Sequence, residues 1–532
     1  MHLYRKINAY RCYIVSIPKM LLRFCKLCYQ DSGVSITNLR KYGKCKVENE
    51  TLTHDQINMK KPIIVCKRPI FNFYKGQTYS QYEEIPIASK GWHHSKAKGD
   101  YFHVYSEHEL NSDQAIVEST FENYDLCPSL YKKLQELGFI KLLEIQERAI
   151  PKILDGQNTV LAAETGCGKT LAYLVPLIHQ ILNWKPLLQR PFNSPLGLII
   201  TPTRELAVQI GVEAKKLSKD LDISTKILTG GKTKRMVLRL PLNDVDLVVA
   251  SFGVISKLST FGFYKLNCVK HIVLDEADAL FHDTFEGKLK IFMNRLQNTQ
   301  LTLASATMPQ RISEVLGDIV NVNSLTQIVS EKLHHVLVPQ KFIRLGSSQK
   351  PYELLKYIKP KIKSKEPIII FSNNNATCDW ISMFLHECGI DNVHLNGNMP
   401  LTVRQGKYKE FKIGRVNILS ATNIGSRGLD TFMVRHILNY DFPLDTSDYI
   451  HRCGRVGRIG SHEDCKVINF ISHYLEIEVV QKIERALRRG RPIPIFNIMK
   501  NNTKDDLESL ISSNDIQNDI IENINEKNSI PY

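Results

Sequence analysis

The eight residues 163–170 constrain this 532-residue chain more than any other feature. They fit the pattern G-x-x-x-x-G-K-[ST], except that alanine replaces the first glycine. A loop of small residues lets backbone N–H groups turn onto phosphate oxygens, and the following helix adds the positive end of its dipole. The loop therefore predicts a nucleoside triphosphate site, with a purely structural glycine turn as the alternative. Lys169 would reach the terminal phosphates, and the hydroxyl of Thr170 would bind Mg²⁺. The candidate binding residues of the loop are Ala163, Glu164, Thr165, Gly166, Cys167, Gly168, Lys169 and Thr170.

Two acidic residues further along the chain support this prediction. Residues 269–274 read as a buried strand, so Asp275 and Glu276 would lie at its carboxyl end, where ligands gather in an open α/β sheet. One carboxylate can hold Mg²⁺, and the other can orient or deprotonate an attacking water. An isolated acidic pair would more often cap a helix or occupy a solvated turn. Together with the phosphate loop, the pair indicates phosphoryl transfer to water.

Bulk composition restricts the class of protein. The chain is 43% hydrophobic, and its length leaves room for two or three domains with their own cores. No run of about eighteen apolar residues occurs, so no membrane insertion is expected. The net charge of +16 favours a polyanionic partner, nucleic acid before membrane. Twelve scattered cysteines, among them Cys167 and Cys453 inside motifs, favour a reducing compartment.

Residues 1–30 have the composition of an organelle presequence, with six basic side chains, no acidic one, and apolar residues between them. We therefore expect import into the mitochondrial matrix, with the nucleus or nucleolus as the alternative location. A basic arm that only adds nucleic-acid affinity is the simpler interpretation. Cys25 and Cys28 have the spacing of metal ligands, but no matching second pair follows, so metal binding stays open.

Apolar strand-like runs alternate with amphipathic segments in two successive series. Such alternation predicts parallel sheets covered by helices, and hence an α/β fold with two tandem domains and a cleft between them. The runs of the first series are 159–163, 196–201, 247–251, 272–274 and 302–305, and those of the second are 368–372, 392–395, 417–420, 435–440 and 466–471. A connector is expected near residues 336–350.

Domain boundaries follow from these two series. Residues 1–118 lack sustained periodicity and are expected to form an irregular N-terminal extension, followed by domains at 119–335 and 336–500. Residues 501–532 hold seven acidic residues and two lysines and are expected to be an acidic, flexible tail. Within the extension, residues 90–98 mix aromatic and basic groups. This stretch either contacts nucleic acid or packs as an arm on the first domain.

Five further motifs occur in order along the chain: Pro202-Thr203-Arg204-Glu205-Leu206-Ala207, Gly230-Gly231, Ser305-Ala306-Thr307, Ser426-Arg427-Gly428-Leu429-Asp430 and His451-Arg452-Cys453-Gly454-Arg455-Val456-Gly457-Arg458. With the phosphate loop and the acidic motif at 275–278, this set over residues 119–497 resembles the DEAD-box ATP-dependent RNA helicases. The resemblance implies two RecA-like domains, ATP and Mg²⁺ as cofactors, and RNA as the partner. The basic start and the phosphate-loop region also resemble the mitochondrial ribosome-assembly branch, which would add ribosomal RNA and ribosome-assembly proteins as partners.

The resemblance implies an adenine site before the phosphate loop. Gln146 can pair with an adenine edge because its amide offers a donor and an acceptor; a solvated helix glutamine is the alternative. Phe121 lies seventeen positions before Gly138, the family's spacing for the ring that stacks on adenine. Phe121 would otherwise be an ordinary core residue. Asp430 would meet the ribose.

The resemblance also implies RNA contacts in both domains. Thr203 and Arg204 follow a strand and can face phosphates. Thr203 and Glu205 could form a helix-start box, and the two roles can coexist. Gly230 and Gly231 would allow close approach of an RNA strand, or form a simple turn. The implied RNA-binding residues are Pro202, Thr203, Arg204, Gly230, Gly231, Ser251, Gly253, Arg404, Thr422 and Gly425.

The second domain would complete the ATP site. Guanidiniums delivered across a cleft to a γ-phosphate stabilise transition-state charge, and Arg455 and Arg458 are spaced to point to one side. An exposed basic helix turn is the alternative. Ser305, Thr307 and His451 are implied to couple the ATP site to closure. The implied catalytic residues are Lys169, Asp275, Glu276, Arg455 and Arg458, with Thr170 and Asp275 on the metal.

Several positions depart from the family pattern. Leu142 and Leu143 stand where Pro-Thr is usual, so one hydroxyl contact to the adenine site is missing. Phe252 and Val254 replace the Pro and Arg of the usual Thr-Pro-Gly-Arg, and Leu401 replaces a Gln. Two RNA contacts are therefore expected to be weaker, while the catalytic set is intact.

We expect ATP and single-stranded RNA to close the cleft, bend the bound strand and destabilise short duplexes, with hydrolysis reopening the cleft. Two other classes stay open. An ATP-gated RNA clamp with negligible turnover is disfavoured by intact Glu276, Arg455 and Arg458. A DNA-directed translocase would make similar phosphate contacts, and only the 2′-hydroxyl distinguishes the sugars; no stable role on DNA is expected.

Overall fold

The computed structural model describes residues 62–80, 82–106, 116–230, 244–282, 284–296, 298–309, 312–317, 320–423, 431–458, 461–462 and 464–498. Within them, the chain forms two large sheets and one sheet of two strands. The expectations for the presequence, for Cys25 and Cys28, and for the acidic tail fall outside the described residues. In the described part, no helix is both long and apolar enough to cross a bilayer.

The elements up to the end of the first α/β unit are, in chain order, β1 (Pro62–Cys66), β2 (Phe73–Tyr74), β3 (Tyr101–Val104), β4 (Ile116–Thr120), α1 (Pro128–Glu136), β5 (Lys141–Leu143), α2 (Glu144–Leu154), β6 (Thr159–Ala162), α3 (Lys169–Trp184), β7 (Gly197–Thr201), α4 (Arg204–Leu217), β8 (Thr225–Leu228), β9 (Leu247–Ser251), α5 (Phe252–Thr260), β10 (His271–Asp275), α6 (Ala277–Leu280), α7 (Glu286–Met293), β11 (Gln300–Ser305), α8 (Ile312–Leu316) and β12 (Thr326–Val329). The strands β4 and β5 form the small antiparallel sheet.

The sheet of the first unit is parallel, with the strand order β12-β6-β11-β10-β7-β9-β8. Every residue of β6, β7, β9 and β10 is buried, because helices cover both faces. Such strands read as continuous apolar runs, which is why the sequence predicts all of them. Successive residues of β7 pack into different cores: Leu198 and Ile200 join one cluster, and Ile199 joins the other.

The elements of the second unit are β13 (Gln340–Arg344), α9 (Lys350–Lys363), β14 (Ile368–Phe371), α10 (Asn375–Glu387), β15 (Val393–Leu395), α11 (Leu401–Lys412), β16 (Ile418–Ala421), β17 (His436–Asn439), α12 (Thr446–Cys453), β18 (Lys466–Ile471) and α13 (Tyr474–Arg488). Its sheet has the order β15-β16-β14-β17-β18-β13-β3-β1-β2. The strands from β15 to β13 are parallel.

The N-terminal segment completes this second sheet. β3 pairs antiparallel with β13, β1 with β3, and β2 with β1. Phe102 stacks on Phe342 with ring centroids 4.7 Å apart, and Trp92 is fully buried. The described residues of 62–106 therefore extend the second sheet, which corrects the expectation of an irregular extension there. The stretch 90–98 packs on the second unit rather than the first. The sequence hides this because these strands are two to five residues long and pair with a strand far along the chain.

A buried ion pair holds the segment on α13. The carboxylate of Glu484 accepts hydrogen bonds from the backbone N–H groups of Ala88 and Ser89 at 2.8 and 3.0 Å. Nη2 of Arg488 lies 2.8 Å from Glu484, and both side chains are fully buried. Removing one partner would leave an uncompensated buried charge, so the pair ties residues 88–89 firmly to this helix.

The connector between the units is shorter than expected. Residues 340–344 form β13, so the prediction of a connector at 336–350 is wrong for its second half. The chain crosses from one sheet to the other between Val329, the end of β12, and Gln340. Buried and half-buried residues alternate along β13, so this strand lacks the continuous apolar run that marks the central strands.

Candidate nucleotide and RNA site

The phosphate loop joins β6 to α3 and depends on two glycines. Gly166 and Gly168 have φ angles of 88° and 95°, the left-handed region that favours glycine. A Cβ on Gly168 would lie 2.6 Å from Nε2 of Gln146, and a Cβ on Gly166 would lie 2.8 Å from Cγ of Arg458. Conformation and space therefore both require glycine at these positions.

Ala163 and Lys169 sit at the two ends of the loop. Ala163 is fully buried, its backbone N–H donates to the carbonyl oxygen of Ser305 at 3.1 Å, and its φ is not left-handed, so alanine is accommodated. Nζ of Lys169 donates to the carbonyl oxygens of Ala163 and of Glu164, the second at 2.8 Å. The ammonium group thus lies inside the curve of the loop. Burial raises the pKa of the Cys167 thiol, which keeps it neutral.

Two buried carboxylates lie at the carboxyl end of β10. Burial, together with repulsion from Glu276, raises the pKa of Asp275 to about 7. The hydroxyl of Tyr173 on α3 donates to Oδ2 of Asp275 at 2.9 Å. Glu276 has a φ of 51°, uncommon for a residue with a Cβ, and this re-aims its side chain away from the strand. A divalent cation would relieve the repulsion, so the pair fits a Mg²⁺ site with Thr170 at the start of α3.

Asp278 connects the two units, a role that the sequence does not reveal. Its carboxylate accepts four hydrogen bonds, from Ser305 Oγ (3.0 Å), Thr307 Oγ1 (3.1 Å), Ser447 Oγ (2.8 Å) and His451 Nε2 (2.6 Å). The first two donors belong to the first unit and the last two to the second. The three residues implied in coupling therefore meet at one carboxylate, which can pair fully only when the cleft is closed.

His451 also faces the candidate general base. Its Nδ1 lies 3.6 Å from Oε2 of Glu276, and both atoms are buried without a hydrogen bond among the described residues. His451 is fully buried, so it has no contact with bulk solvent. The arrangement leaves one oxygen of Glu276 able to accept a proton.

The turn after α12 brings the second unit onto the phosphate loop. Oγ1 of Thr165 donates to the carbonyl oxygen of Gly454 at 2.6 Å, and a Cβ on Gly454 would lie 2.0 Å from that hydroxyl oxygen. The side chain of Arg458 packs over Gly166, and Arg455 is 3% exposed. Neither arginine belongs to an exposed basic helix turn, so that alternative is wrong. Arg458 lies on the side of the second unit that faces the loop, and Nε of Arg455 donates to the carbonyl oxygen of His451.

The expected RNA motif of the first unit follows the helix-start interpretation at Thr203 but not at Glu205. Oγ1 of Thr203 accepts from the N–H of Leu206 at 3.3 Å and caps α4. Glu205 does not complete a helix-start box, since its Oε1 lies 2.9 Å from Nη2 of Arg404 in the second unit. Arg404 is 7% exposed, so this implied phosphate ligand forms a buried ion pair across the cleft.

The other implied RNA contacts are spread over both units. Gly230 lies beside Arg204, whose guanidinium would be 3.1 Å from a Cβ on the glycine, so a larger residue would displace it. Ser251 and Thr422 are buried, Pro202 is half-buried, and open space surrounds Gly253. The implied contacts at Gly231, Gly425 and Asp430 fall outside the described residues.

The implied adenine residues are both buried. Oε1 of Gln146 accepts from the N–H of Leu143 at 3.0 Å, and Nε2 donates to the carbonyl oxygen of Gly168 at 3.2 Å. Gln146 is therefore no solvated glutamine, and its amide retains one lone pair and one proton for a further partner. Phe121 is 1% exposed and packs in the core of the first unit, as the alternative interpretation has it. Stacking of Phe121 on adenine stays a prediction.

One departure from the family pattern has a packing explanation. Phe252, which stands in place of proline, is 1% exposed and meets Phe285 and Phe292 edge to face, with ring centroids 5.7 and 5.9 Å apart. Val254 is also buried in this cluster. Both side chains serve the core, where they cannot contact RNA.

Sequence reasoning missed three further residues. Tyr173 orients Asp275, and Ser447 binds Asp278. Arg452 is fully buried and donates to side chains after β14 and β16 and to the carbonyl oxygen of Asp441. Burial lowers its pKa to about 10. Asp278 and Arg452 lie inside recognised motifs, so their identity was visible; Tyr173 and Ser447 give no sequence signal.

Comparison with known proteins agrees with this arrangement. The family model "DEAD/DEAH box helicase" matches residues 143–315 in the first unit, and "Helicase conserved C-terminal domain" matches residues 349–460 in the second. The chain is 35% identical to "Probable ATP-dependent RNA helicase DDX28" of Mus musculus over 463 residues, which are 81% of this chain and 85% of that one. It is 33% identical to the Homo sapiens protein of the same name, over 82% and 87% of the two chains.

Solved structures share the fold. A structure of Mss116p "bound to ssRNA and AMP-PNP" aligns with a TM-score of 0.60 and 25% identity, over 73% of this chain and 79% of that one. Dbp5 of S. cerevisiae "bound to RNA and ADP BeF3" aligns equally well at 24% identity, over 71% and 95%. Two RecA-like units, a phosphate loop covered by Arg458 of the second unit, and relatives of this identity and coverage lead to one conclusion: the chain belongs to the DEAD-box ATP-dependent RNA helicases, and it binds RNA and hydrolyses ATP.

Proposed function

We propose that this helicase closes its two units on an RNA backbone and thereby remodels short duplexes or RNA–protein complexes. The proposal rests on the contacts of Asp278, whose carboxylate accepts two hydrogen bonds from each unit. A carboxylate shared in this way is satisfied in the closed arrangement and loses two partners on opening. Such a bistable contact links events at the ATP site to the position of the second unit.

We assign each step of the chemistry to a motif side chain of one of the two units. Lys169 binds the terminal phosphates, Glu276 accepts the proton of the attacking water, and Arg455 and Arg458 stabilise the charge that develops on the γ-phosphate. Thr170 and Asp275 would hold Mg²⁺, which when bound neutralises phosphate charge. The support is the buried carboxylate pair, whose repulsion favours a cation.

Contacts to RNA are proposed to involve its backbone, where no base identity is displayed. The RNA contact of Arg404 would depend on closure of the cleft, because Glu205 of the first unit positions the Arg404 side chain. Low intrinsic sequence selectivity follows. Target choice would then come from regions outside the core or from protein partners.

This function predicts that RNA, and not DNA of the same sequence, stimulates ATP hydrolysis. RNA differs by its 2′-hydroxyl, which a protein can use to tell the sugars apart. Phosphate release is measured with matched RNA and DNA strands, together with ATP-dependent separation of a short RNA duplex. A clamp would bind RNA with ATP yet show negligible turnover, and a DNA translocase would respond to both strands; either result would refute the proposal.

We further propose that the protein acts in the mitochondrial matrix, in ribosome biogenesis, with ribosomal RNA and assembly proteins as partners. The support is compositional: six basic and no acidic residues in the first 30, followed by a basic chain of net charge +16. An alternative site of action is the nucleus or nucleolus.

A fluorescent fusion of residues 1–45 is expected to accumulate in mitochondria, and removal of these residues should leave the protein outside. A matched control fusion carries the same segment with the six basic residues of positions 1–30 replaced by glutamine, which should abolish import. Diffuse or nucleolar signal from the unchanged fusion would contradict the location. Sequencing of RNA crosslinked to the protein in cells would then identify the target, and absence of ribosomal RNA would exclude the ribosomal role.

A further inference from the structure

A basic face lies on the second unit, away from the cleft. Lys482, Arg485 and Arg489 are exposed and lie three and four positions apart. This spacing places them on one side of α13, with Arg489 at its C-cap. We call these three residues, with Lys90 and His93 of the N-terminal segment, the accessory basic face. The segment contributes to it because Glu484 fixes residues 88–89 against the same helix.

Contacts around Ser89 bring the two parts of the face together. Nε2 of Gln481 donates to the carbonyl oxygen of Ser89 and lies 3.4 Å from Nε2 of His93. Lys90 forms an ion pair with Glu84, and the pKa of Glu84 is lowered first by Lys90 and also by Arg485. Lys90 and Arg485 therefore both lie near one acidic group.

The acidic groups near the face do not neutralise it. Glu84 faces Lys90 and Arg485, and Glu478 lies one turn before Lys482 on α13. Four cationic side chains therefore stand against two carboxylates. Within the described part of the chain, no ion pair neutralises Lys482, Arg485 or Arg489. Nζ of Lys482 lies 4.6 Å from the centroid of the Phe496 ring, a contact that leaves its positive charge in place. The three side chains are exposed, so a polyanionic partner can reach them.

Helix stability explains only part of this pattern. Basic residues in the last turn are favoured by the helix dipole, which accounts for Arg485 in the last turn of α13 and for Arg489 at its C-cap. That effect fades within one turn and does not reach Lys482. Tyr82, two positions before Glu84, is 96% exposed and has an open ring face. Tyr82 belongs to the same N-terminal segment as Lys90, and basic side chains combined with exposed aromatic rings are typical of surfaces that bind single-stranded nucleic acid.

The face is separate from the core RNA contacts. Thr422 follows β16 and Arg404 lies on α11, at one end of the second sheet. The N-terminal strands lie at the other end, beyond β13, and β13 is four strands from β16, or roughly 19 Å at about 4.8 Å per strand. An RNA that extends past the cleft can touch both surfaces, whereas a strand that only fills the cleft cannot.

We propose that the accessory basic face is a second RNA-binding surface, which holds the flanking part of a long RNA on the second unit whether or not ATP is bound. Both of its parts belong to one sheet and its covering helix, so opening of the cleft leaves the face intact. The RNA would thus stay attached between cycles of hydrolysis.

The test measures RNA affinity against salt without nucleotide, for a short strand that fills only the cleft and a long strand that extends beyond it. A variant with Lys482→Gln, Arg485→Gln and Arg489→Gln should bind the long strand roughly tenfold more weakly. Its log–log salt slope should be shallower by about 2, since each contact to a single strand contributes about 0.7. Binding of the short strand, and the ATP hydrolysis that this strand stimulates, should be unchanged.

A matched variant removes the same charge from the first unit, with Lys215→Gln, Lys216→Gln and Lys219→Gln, all at exposed positions in or just after α4. Equal losses in the two variants would show only a general charge effect and overturn the proposal. Unchanged long-strand binding in the α13 variant, with faster proteolysis of residues 501–532, would instead show that the acidic tail occupies the face, and would also overturn it. If the short strand failed to stimulate ATP hydrolysis by the unmodified protein, the proposed helicase function would be wrong. That result would not bear on RNA binding by the accessory basic face.

Discussion

Glu276→Gln is expected to slow ATP hydrolysis by roughly two to four orders of magnitude, the usual contribution of a general base. The amide keeps the shape of the carboxylate but cannot accept the proton of the attacking water. Glu276 is 7% exposed, and its Oε2 makes no hydrogen bond within the described residues, so the substitution breaks no such bond. Phosphate release in the presence of RNA measures the effect, and binding of ATP and RNA should persist.

The matched control for this substitution is Glu213→Gln on α4, a partly exposed carboxylate far from the loop. The control should hydrolyse ATP at the normal rate. Normal turnover by the purified Glu276→Gln protein would show that another group activates the water. Loss of ATP binding in the same protein would show that Glu276 holds the nucleotide.

Arg458→Lys should slow hydrolysis by about a thousandfold or more, the lower end of what an arginine delivered across a cleft contributes elsewhere. Lysine keeps the positive charge, but a point charge does not reproduce the planar, two-pronged guanidinium. The side chain of Arg458 already packs against Gly166, so it is positioned before any chemistry begins. RNA binding without nucleotide should change little. Single-turnover hydrolysis with RNA separates this loss from slow product release.

An exposed arginine of the same unit is the control for Arg458. Arg415→Lys, just after α11, should leave hydrolysis unchanged. If Arg458→Lys also hydrolysed ATP normally, the closed arrangement of Thr165, Gly454 and Arg458 would not be the hydrolysing one. Gly454→Ala offers an independent check, because its Cβ would collide with Oγ1 of Thr165 and keep the units apart.

Local chemistry explains why the phosphate loop, the acidic pair and the central strands are predictable from sequence. Gly166 and Gly168 are required by backbone angles within a few residues, and buried parallel strands are apolar along their whole length. The ordered motifs then indicate the two units and their family. These features depend on residues that are close in the chain, or on a pattern that can be recognised in the sequence.

Other features depend on which distant segments meet, and the sequence does not show them. Asp278 finds Ser447 and His451 about 170 positions away, with hydrogen bonds across the cleft. Glu205 pairs with Arg404 instead of capping its own helix, because an opposite charge of the second unit lies 2.9 Å away. The N-terminal strands are too short for their pattern to be recognised, and only the exposed edge of β13 and the core around Phe342 explain them. Periodicity reports which side of an element is buried, whereas pairing across a cleft or along a sheet edge is a property of the packed molecule.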